Sequence, residues 1–301
     1  AIGVYDSQND ILKLFGAAKV PHRNRDTLVR MLGREEDKIE LHEGHTGGGF
    51  GIRGELYPED VLVLVAAQRL GRPIKWIEDR QEHMIAANQG RNQHHMVKIA
   101  VDKNGIILGM EDEFFHDQGG YIRTHGANVP NRTMCMLTGA YNVPAYRALC
   151  HLRLTNKTPA ATYRAPGRFE STFVRERLMD ALSAKLDINR IELRRRNLIT
   201  ADQMPFTINF DEPGVEDLEI DNGDYPALLD KALTWLKWDE LEADLKRRRA
   251  NGEMVGSGIG VFVEESGKGP SDGARISVDE NGDVEVLTGG ASLGQGFETT
   301  M

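Results

Sequence analysis

Residues 46–53 read Thr-Gly-Gly-Gly-Phe-Gly-Ile-Arg, and such a run of glycines lets the backbone approach a ligand closely and aim N–H groups at anionic atoms. No Gly-Lys-Ser/Thr follows, and the spacing is not that of a dinucleotide fingerprint, so a tight loop ahead of a helix is the other reading. Residues 289–296 read Gly-Gly-Ala-Ser-Leu-Gly-Gln-Gly. There Gln295, flanked by Gly294 and Gly296, could offer two donors and an acceptor to a polar heterocycle, or stand in an exposed turn. A third stretch, Ala161 to Glu170, is a Gly/Pro-punctuated loop entering a helix, with Arg164 and Arg168 set among Tyr163 and Phe169. Its arginines fit either a ligand or salt bridges at a helix start. His42 with His45, and His94 with His95, lack a third ligand at a convincing spacing and read as loop and strand histidines. No Gly-x-Ser-x-Gly elbow is present, which argues against a serine hydrolase.

These loops need a scaffold. A strand is read at Ile2–Tyr5, and a helix over Pro58–Leu70, opened by proline and acidic residues, stopped by Gly71, and burying Val61, Leu62, Leu64 and Val65. A strand is expected at Ile74–Glu78. Hairpins are expected at His95–Phe115, where Asn104-Gly105 gives a type I′ turn, and at Ala274–Leu287, where Ile276/Val278 and Val284/Val286 flank Asn281-Gly282. Helices are expected at Phe169–Leu186, Asn189–Asn197 and Tyr225–Arg249, with Thr200–Gly223 as a surface connection. Strands and helices mix without regular βαβ alternation, which predicts an α+β fold. The boundary is placed to give domains 1–222 and 223–301.

The 301 residues carry 37 Lys+Arg against 46 Asp+Glu, a net charge of -9 that argues against nucleic acid as the main partner. The longest apolar run, Val61 to Ala67, falls far short of the roughly 18 residues of a membrane span. Cys135 and Cys150 are too few for a disulfide framework or an iron–sulfur cluster, so any such cluster belongs to another chain or segment. The start at Ala1 and the stop at Met301 both look cut, and a cytoplasmic location is expected.

Taken in order, these motifs resemble the molybdenum-binding large subunit of the xanthine oxidase/aldehyde oxidase/carbon monoxide dehydrogenase family. The resemblance covers Val4 to Gln8, the Gly-Gly-Gly-Phe-Gly loop, Pro73 to Arg80 and the Tyr-Arg-x-x-Gly loop. It continues through Glu176 to Asp180, Glu192 to Asn197, Ser257 to Gly260 and Gly294 to Gly296. It implies a molybdopterin, as the cytosine dinucleotide, carrying molybdenum with no direct protein ligand. It also implies partners bearing 2Fe-2S and FAD, and a small-molecule substrate. Residue by residue, Gln8 matches a glutamine whose amide bonds a metal oxo ligand, and Gly49, Phe50 and Gly51 match backbone lining the metal and dithiolene. Arg164 matches a residue whose main-chain N–H faces the metal's oxygen ligands. Gln295, between Gly294 and Gly296, matches a glutamine on the pterin. Arg132 falls where an arginine stabilises negative charge on the substrate.

Departures narrow the implied activity. Gly54 follows Arg53 where purine enzymes carry a glutamate, with Glu55 one step late, and Ala165 stands where copper enzymes carry a cysteine. The family's general-base glutamate lies in a Gly-x-Gly-Glu motif, which this chain lacks. The resemblance thus implies a hydroxylase of an aldehyde or N-heteroaromatic compound, with Tyr163, Pro166 and Phe169 as pocket walls, inactive as this chain alone. The alternatives are a non-catalytic molybdopterin-binding half of a split large subunit, completed by a second chain, and a structural relic binding no cofactor.

Overall fold

The first two strands, β1 (Ile2–Asp6) and β2 (Ile11–Phe15), form an antiparallel hairpin. Asp6 Oδ1 shapes its turn by accepting the N–H groups of Gln8 (3.1 Å) and Asn9 (3.3 Å), local bonding that makes aspartate a turn former. The computed structural model describes residues 1–16, 20–210, 217–264 and 273–301. After α1 (Pro21–Leu32) the chain enters β3 (Ile39–His42), parallel to β2, with Leu12 opposite Ile39 and Phe15 opposite His42. Helix α2 (Pro58–Leu70) has the predicted bounds and lies on this sheet, which β4 (Ile74–Lys75) completes in the order β3-β2-β1-β4. Gly3 sets how it lies: a Cβ there would sit 2.3 Å from the Val63 carbonyl oxygen. The helix therefore rests on Val63, Leu64 and Ala67, while Leu62, expected inside, is 64% exposed. β4 is shorter than predicted, pairing only Ile74 with Gly3 and Lys75 with Ile2.

A second sheet follows α3 (Arg80–Ala86). It comprises β5 (Gln93–Val101), β6 (Ile107–Gly119) and, beyond α4 (Asn128–Cys135), β7 (Tyr146–Leu154) parallel to β6. The β5–β6 hairpin lies where predicted, but its turn is not type I′. Of the Asn104-Gly105 pair only Gly105 has positive φ (79°), and its N–H reaches the Asp102 carbonyl at 3.0 Å. Asp102 Oδ1 also accepts the N–H groups of Asn104 and Ile106, each at 2.8 Å. The aspartate two residues before Asn-Gly is what selects this geometry, a turn with one glycine in the left-handed region.

Helices α5 (Arg168–Leu186) and α6 (Arg190–Asn197) form the main core with Ile107, Tyr141, Met179, Leu193 and Leu198. The stretch 200–223 is not a plain connection, for β8 (Phe206–Ile208) and β9 (Leu218–Ile220) pair there and bury Ile208 and Ile220 against Ile199. The single helix predicted at 225–249 is two, α7 (Tyr225–Trp235) and α8 (Trp238–Ala250), broken at Lys237 (φ 49°). Leu233 and Trp238 both pack on the core. Five residues apart, they would face about 140° from each other on a straight helix, so the chain turns between them.

Beyond α8, residues 255–264 alternate in burial as an extended strand does. This strap crosses α5 and α6, and arginines take its alternate carbonyls: Arg190 at Ser257 (2.9 Å), Arg194 at Ile259 (3.3 Å) and Arg175 at Val261 (2.8 Å). Arg168 adds an ion pair to Glu264 at 3.0 Å. The hairpin of β10 (Ala274–Val278) and β11 (Val284–Thr288) follows, its turn built at Asp279 as the earlier one is at Asp102, and α9 (Phe297–Thr300) comes last. The whole is the α+β fold expected. Among the described residues no helix is long and apolar enough to cross a membrane.

One carboxylate fixes the end of β6 nearest the site. Burial would raise the pKa of Asp117, but the Lys157 ammonium (2.8 Å), the Thr155 hydroxyl (2.6 Å) and the Gly119 N–H (3.0 Å) pull it down to about 2. A folded pKa below the unfolded value of about 4 adds stability above pH 4, lost as pH falls toward 2. Asp117→Asn should therefore lower stability by about 2 kcal/mol at neutral pH, and urea titrations should show the two proteins converging at pH 2.

Candidate functional site

The Gly-Gly-Gly-Phe-Gly loop leaves the C-terminal end of β3 with three residues in the left-handed region, Gly48 (φ 98°), Phe50 (φ 50°) and Gly51 (φ 93°). For Phe50, 56% exposed, that conformation is strained and must be held by its neighbours. The holding group is the Tyr-Arg loop: Arg164 N–H donates to the Phe50 carbonyl at 2.7 Å, and the Arg164 guanidinium lies 5.7 Å from the Phe50 ring centre. Thr162 Oγ1 donates to the Gly51 carbonyl at 3.3 Å, and a Cβ on Gly51 would meet the Thr162 carbonyl oxygen at 3.0 Å.

From the other side comes the second glycine loop. Gly48 N–H donates to the Leu293 carbonyl at 2.8 Å, the Leu293 side chain covers Gly49, and a Cβ on Gly294 (φ 98°) would come within 3.1 Å of the Thr46 carbonyl oxygen. The three loops singled out by composition thus converge. Among the described residues the N–H groups of Gly49, Phe50, Gly51, Gly294, Gln295 and Gly296 donate to no other protein group. Six such donors on two touching loops suit an anionic ligand. Gly167 is buried, and its Cα faces α4 so closely that a Cβ would lie 2.5 Å from Arg132 Cβ, which places Arg132 beside the Tyr-Arg loop.

Some expectations change. Gln8 lies in the β1–β2 turn at the N-terminal end of β3, where Lys38 Nζ reaches the neighbouring Asn9 carbonyl at 3.0 Å, whereas the glycine loop leaves the opposite end. The sequence Asp-Ser-Gln-Asn-Asp is turn chemistry, and the geometry does not bring Gln8 to the site. Arg164 offers its main-chain N–H to Phe50, not outward. The Gln295 amide closes its own loop, Oε1 accepting from Leu293 N–H (2.6 Å) and Nε2 donating to the Ala291 carbonyl (3.0 Å). Glu55 is buried, its carboxylate bonded by Thr124 and by His125 (3.1 Å). Despite burial, these partners hold its pKa below the usual carboxylate range.

His42 stacks on Phe15 and bonds Glu40 (2.8 Å), and His95 stacks on Phe114 and bonds Asp112 (2.7 Å). No metal-holding group of His, Cys, Asp and Glu occurs among the described residues. Burial pushes the Cys150 thiol up to about 12, so at neutral pH it is a protonated thiol.

Residues 1–198 match the model of the molybdopterin cofactor-binding domain, and residues 231–301 match a second model of the same description. The chain belongs to the molybdopterin cofactor-binding family. It is 41% identical over 296 residues to the 6-hydroxypseudooxynicotine dehydrogenase complex subunit gamma of Paenarthrobacter nicotinovorans, covering 98% of this chain and 37% of that protein. It is 30% identical to the carbon monoxide dehydrogenase large chain of Hydrogenophaga pseudoflava, over 99% of this chain and 39% of the relative. Quinoline 2-oxidoreductase from Pseudomonas putida 86 superposes with a TM-score of 0.91 at 30% identity, over 99% of this chain and 39% of that one. The molybdopterin-binding chain therefore spans under two fifths of the length of these relatives.

Proposed function

We propose that this chain is the molybdopterin-gripping part of a molybdenum hydroxylase large subunit, which inserts water-derived oxygen into an N-heteroaromatic or aldehyde substrate. Its electrons pass to iron–sulfur and FAD subunits, and the cofactor form is the cytosine dinucleotide. The observation behind this reading is the meeting of two glycine loops and the Tyr-Arg loop around six uncommitted N–H donors. When bound, the cofactor supplies a redox centre that accepts the substrate's electrons. The N–H groups of Gly49, Phe50 and Gly51 hold its anionic atoms, and those of Gly294 and Gly296 flank it. Gln295 turns its amide from Ala291 and Leu293 toward the pterin. Arg164 keeps Phe50 in place, and Arg132 pairs with charge developing on the substrate. The fold divides into a first cofactor-binding domain at 1–222 and the start of a second at 223–301, in a cytoplasmic enzyme.

Relatives named for 6-hydroxypseudooxynicotine and quinoline support the N-heteroaromatic class. Gly54 and the buried Glu55 weigh against a purine, and Ala165 weighs against copper. In the complete enzyme, kcat/KM for quinoline- or pyridine-type substrates should exceed that for xanthine. A panel assay giving xanthine the highest value, or copper found in the enzyme, overturns the substrate reading. Mass spectrometry of the purified complex distinguishes one long subunit from a split one in which this chain is the non-catalytic half.

A further inference from the structure

Arg91 was not singled out by any motif, yet it reaches both ends of the Tyr-Arg loop. Its guanidinium carbon lies 4.3 Å from the Phe169 ring centre and 5.3 Å from that of Tyr163. Nη2 donates to the Arg164 carbonyl at 2.5 Å, and Nη1 pairs with Glu170 Oε1 at 3.2 Å. Glu170 stands in the first turn of α5 with its side chain only 5% exposed, so this charge pair is sheltered from water.

The base from which Arg91 reaches is fixed independently. Asn92 Nδ2 donates to Asp117 Oδ2 (2.9 Å), and Asp117 N–H donates to the Asn92 carbonyl (3.1 Å). Gln89 N–H reaches the Pro159 carbonyl, and Ala161 N–H the Gln89 carbonyl, both at 3.2 Å. Arg91 itself is in the left-handed region (φ 70°), an unfavourable conformation for arginine that these bonds impose. A planar cation that lies against two aromatic rings, donates to a carbonyl and pairs with a carboxylate performs a task that lysine performs poorly.

We infer that Arg91 is a positioning residue for substrate binding: it fixes Tyr163 and Phe169 as walls beside the cofactor loops. The inference rests on the function proposed above. The cofactor donors lie on the glycine loops, which Arg91 does not touch, so its loss should loosen the aromatic walls and leave cofactor binding in place.

The test uses the full-length subunit in its complex, as wild type, Arg91→Met and Arg91→Lys. Trypsin cleavage within residues 163–169 should be about tenfold faster in Arg91→Met, and intermediate in Arg91→Lys, with only a small fall in thermal midpoint from the loss of the Glu170 partner. KM for a quinoline-type substrate should rise about tenfold, with kcat and molybdenum content held. Unchanged cleavage overturns the inference. So does a large fall in thermal midpoint, which makes Arg91 a fold residue, or a fall in kcat or molybdenum content at constant KM. If wild-type complex holds no molybdenum and turns nothing over, the proposed function fails, and the claim about substrate binding falls with it.

Discussion

Arg194→Met should destabilise the subunit by about 3–5 kcal/mol, the usual cost of removing one partner from a buried ion pair. Arg194 is fully buried. Its Nε donates to Glu176 Oε2 at 2.9 Å, and its Nη2 to Asp180 Oδ1 at 2.9 Å and to the carbonyls of Glu176 (3.2 Å) and Ile259 (3.3 Å). Methionine keeps the length and loses every donor. Glu176 would retain Arg175 Nε at 3.2 Å and the Tyr141 hydroxyl at 3.2 Å, too little for a buried carboxylate that had a second guanidinium. The strap at 257–263 would lose its central tie. Urea midpoints at unchanged slope give the loss. Adding Glu176→Gln should recover part of it, because the stranded charge is then gone. A loss below about 1 kcal/mol would mean that the arginine ladder is not what fastens the strap.

Gly167→Ala should be nearly as severe, but local. At φ 75° any L side chain is strained, by about 1–3 kcal/mol. Here the added Cβ would also meet Thr133 N at 2.5 Å and Val129 O at 2.6 Å, atoms of the α4 backbone that cannot swing aside. Overpacking adds about 1–3 kcal/mol, which the chain can avoid by lifting the Tyr-Arg loop off α4. Lifting it pulls Arg164 from Phe50, so the expected result is a complex that assembles but holds the cofactor weakly. Gly71→Ala is the control, with φ 62° and nothing within 4 Å of the added Cβ, and should cost only about 1 kcal/mol. Equal behaviour of the two variants would remove the special role given to Gly167.

What could be read from the sequence follows the range of the forces involved. α2 was legible because proline, first-turn acids and Gly71 mark its ends locally. Both hairpins were legible from alternation, while the type of the first turn was not, because Asp102, not Asn-Gly alone, decides its geometry. β7 was missed: Arg147, His151 and Arg153 interrupt its apolar pattern, and its parallel partner lies more than thirty residues upstream. In the site, the glycine loops were legible because positive φ demands glycine. Phe50 and Arg91 show the limit, since nothing local marks a non-glycine residue held in that region by distant bonds. Gln8 marks the other limit, where a short motif match was outweighed by the turn chemistry around it.

The grip of these loops on a molybdopterin underlies the proposed function. It is tested most directly by measuring molybdenum and pterin per chain in the full-length subunit, purified in its complex from a host that makes the cofactor. About one of each per chain is expected, falling in Gly167→Ala and held in Gly71→Ala. A folded, assembled complex with neither molybdenum nor pterin would contradict it.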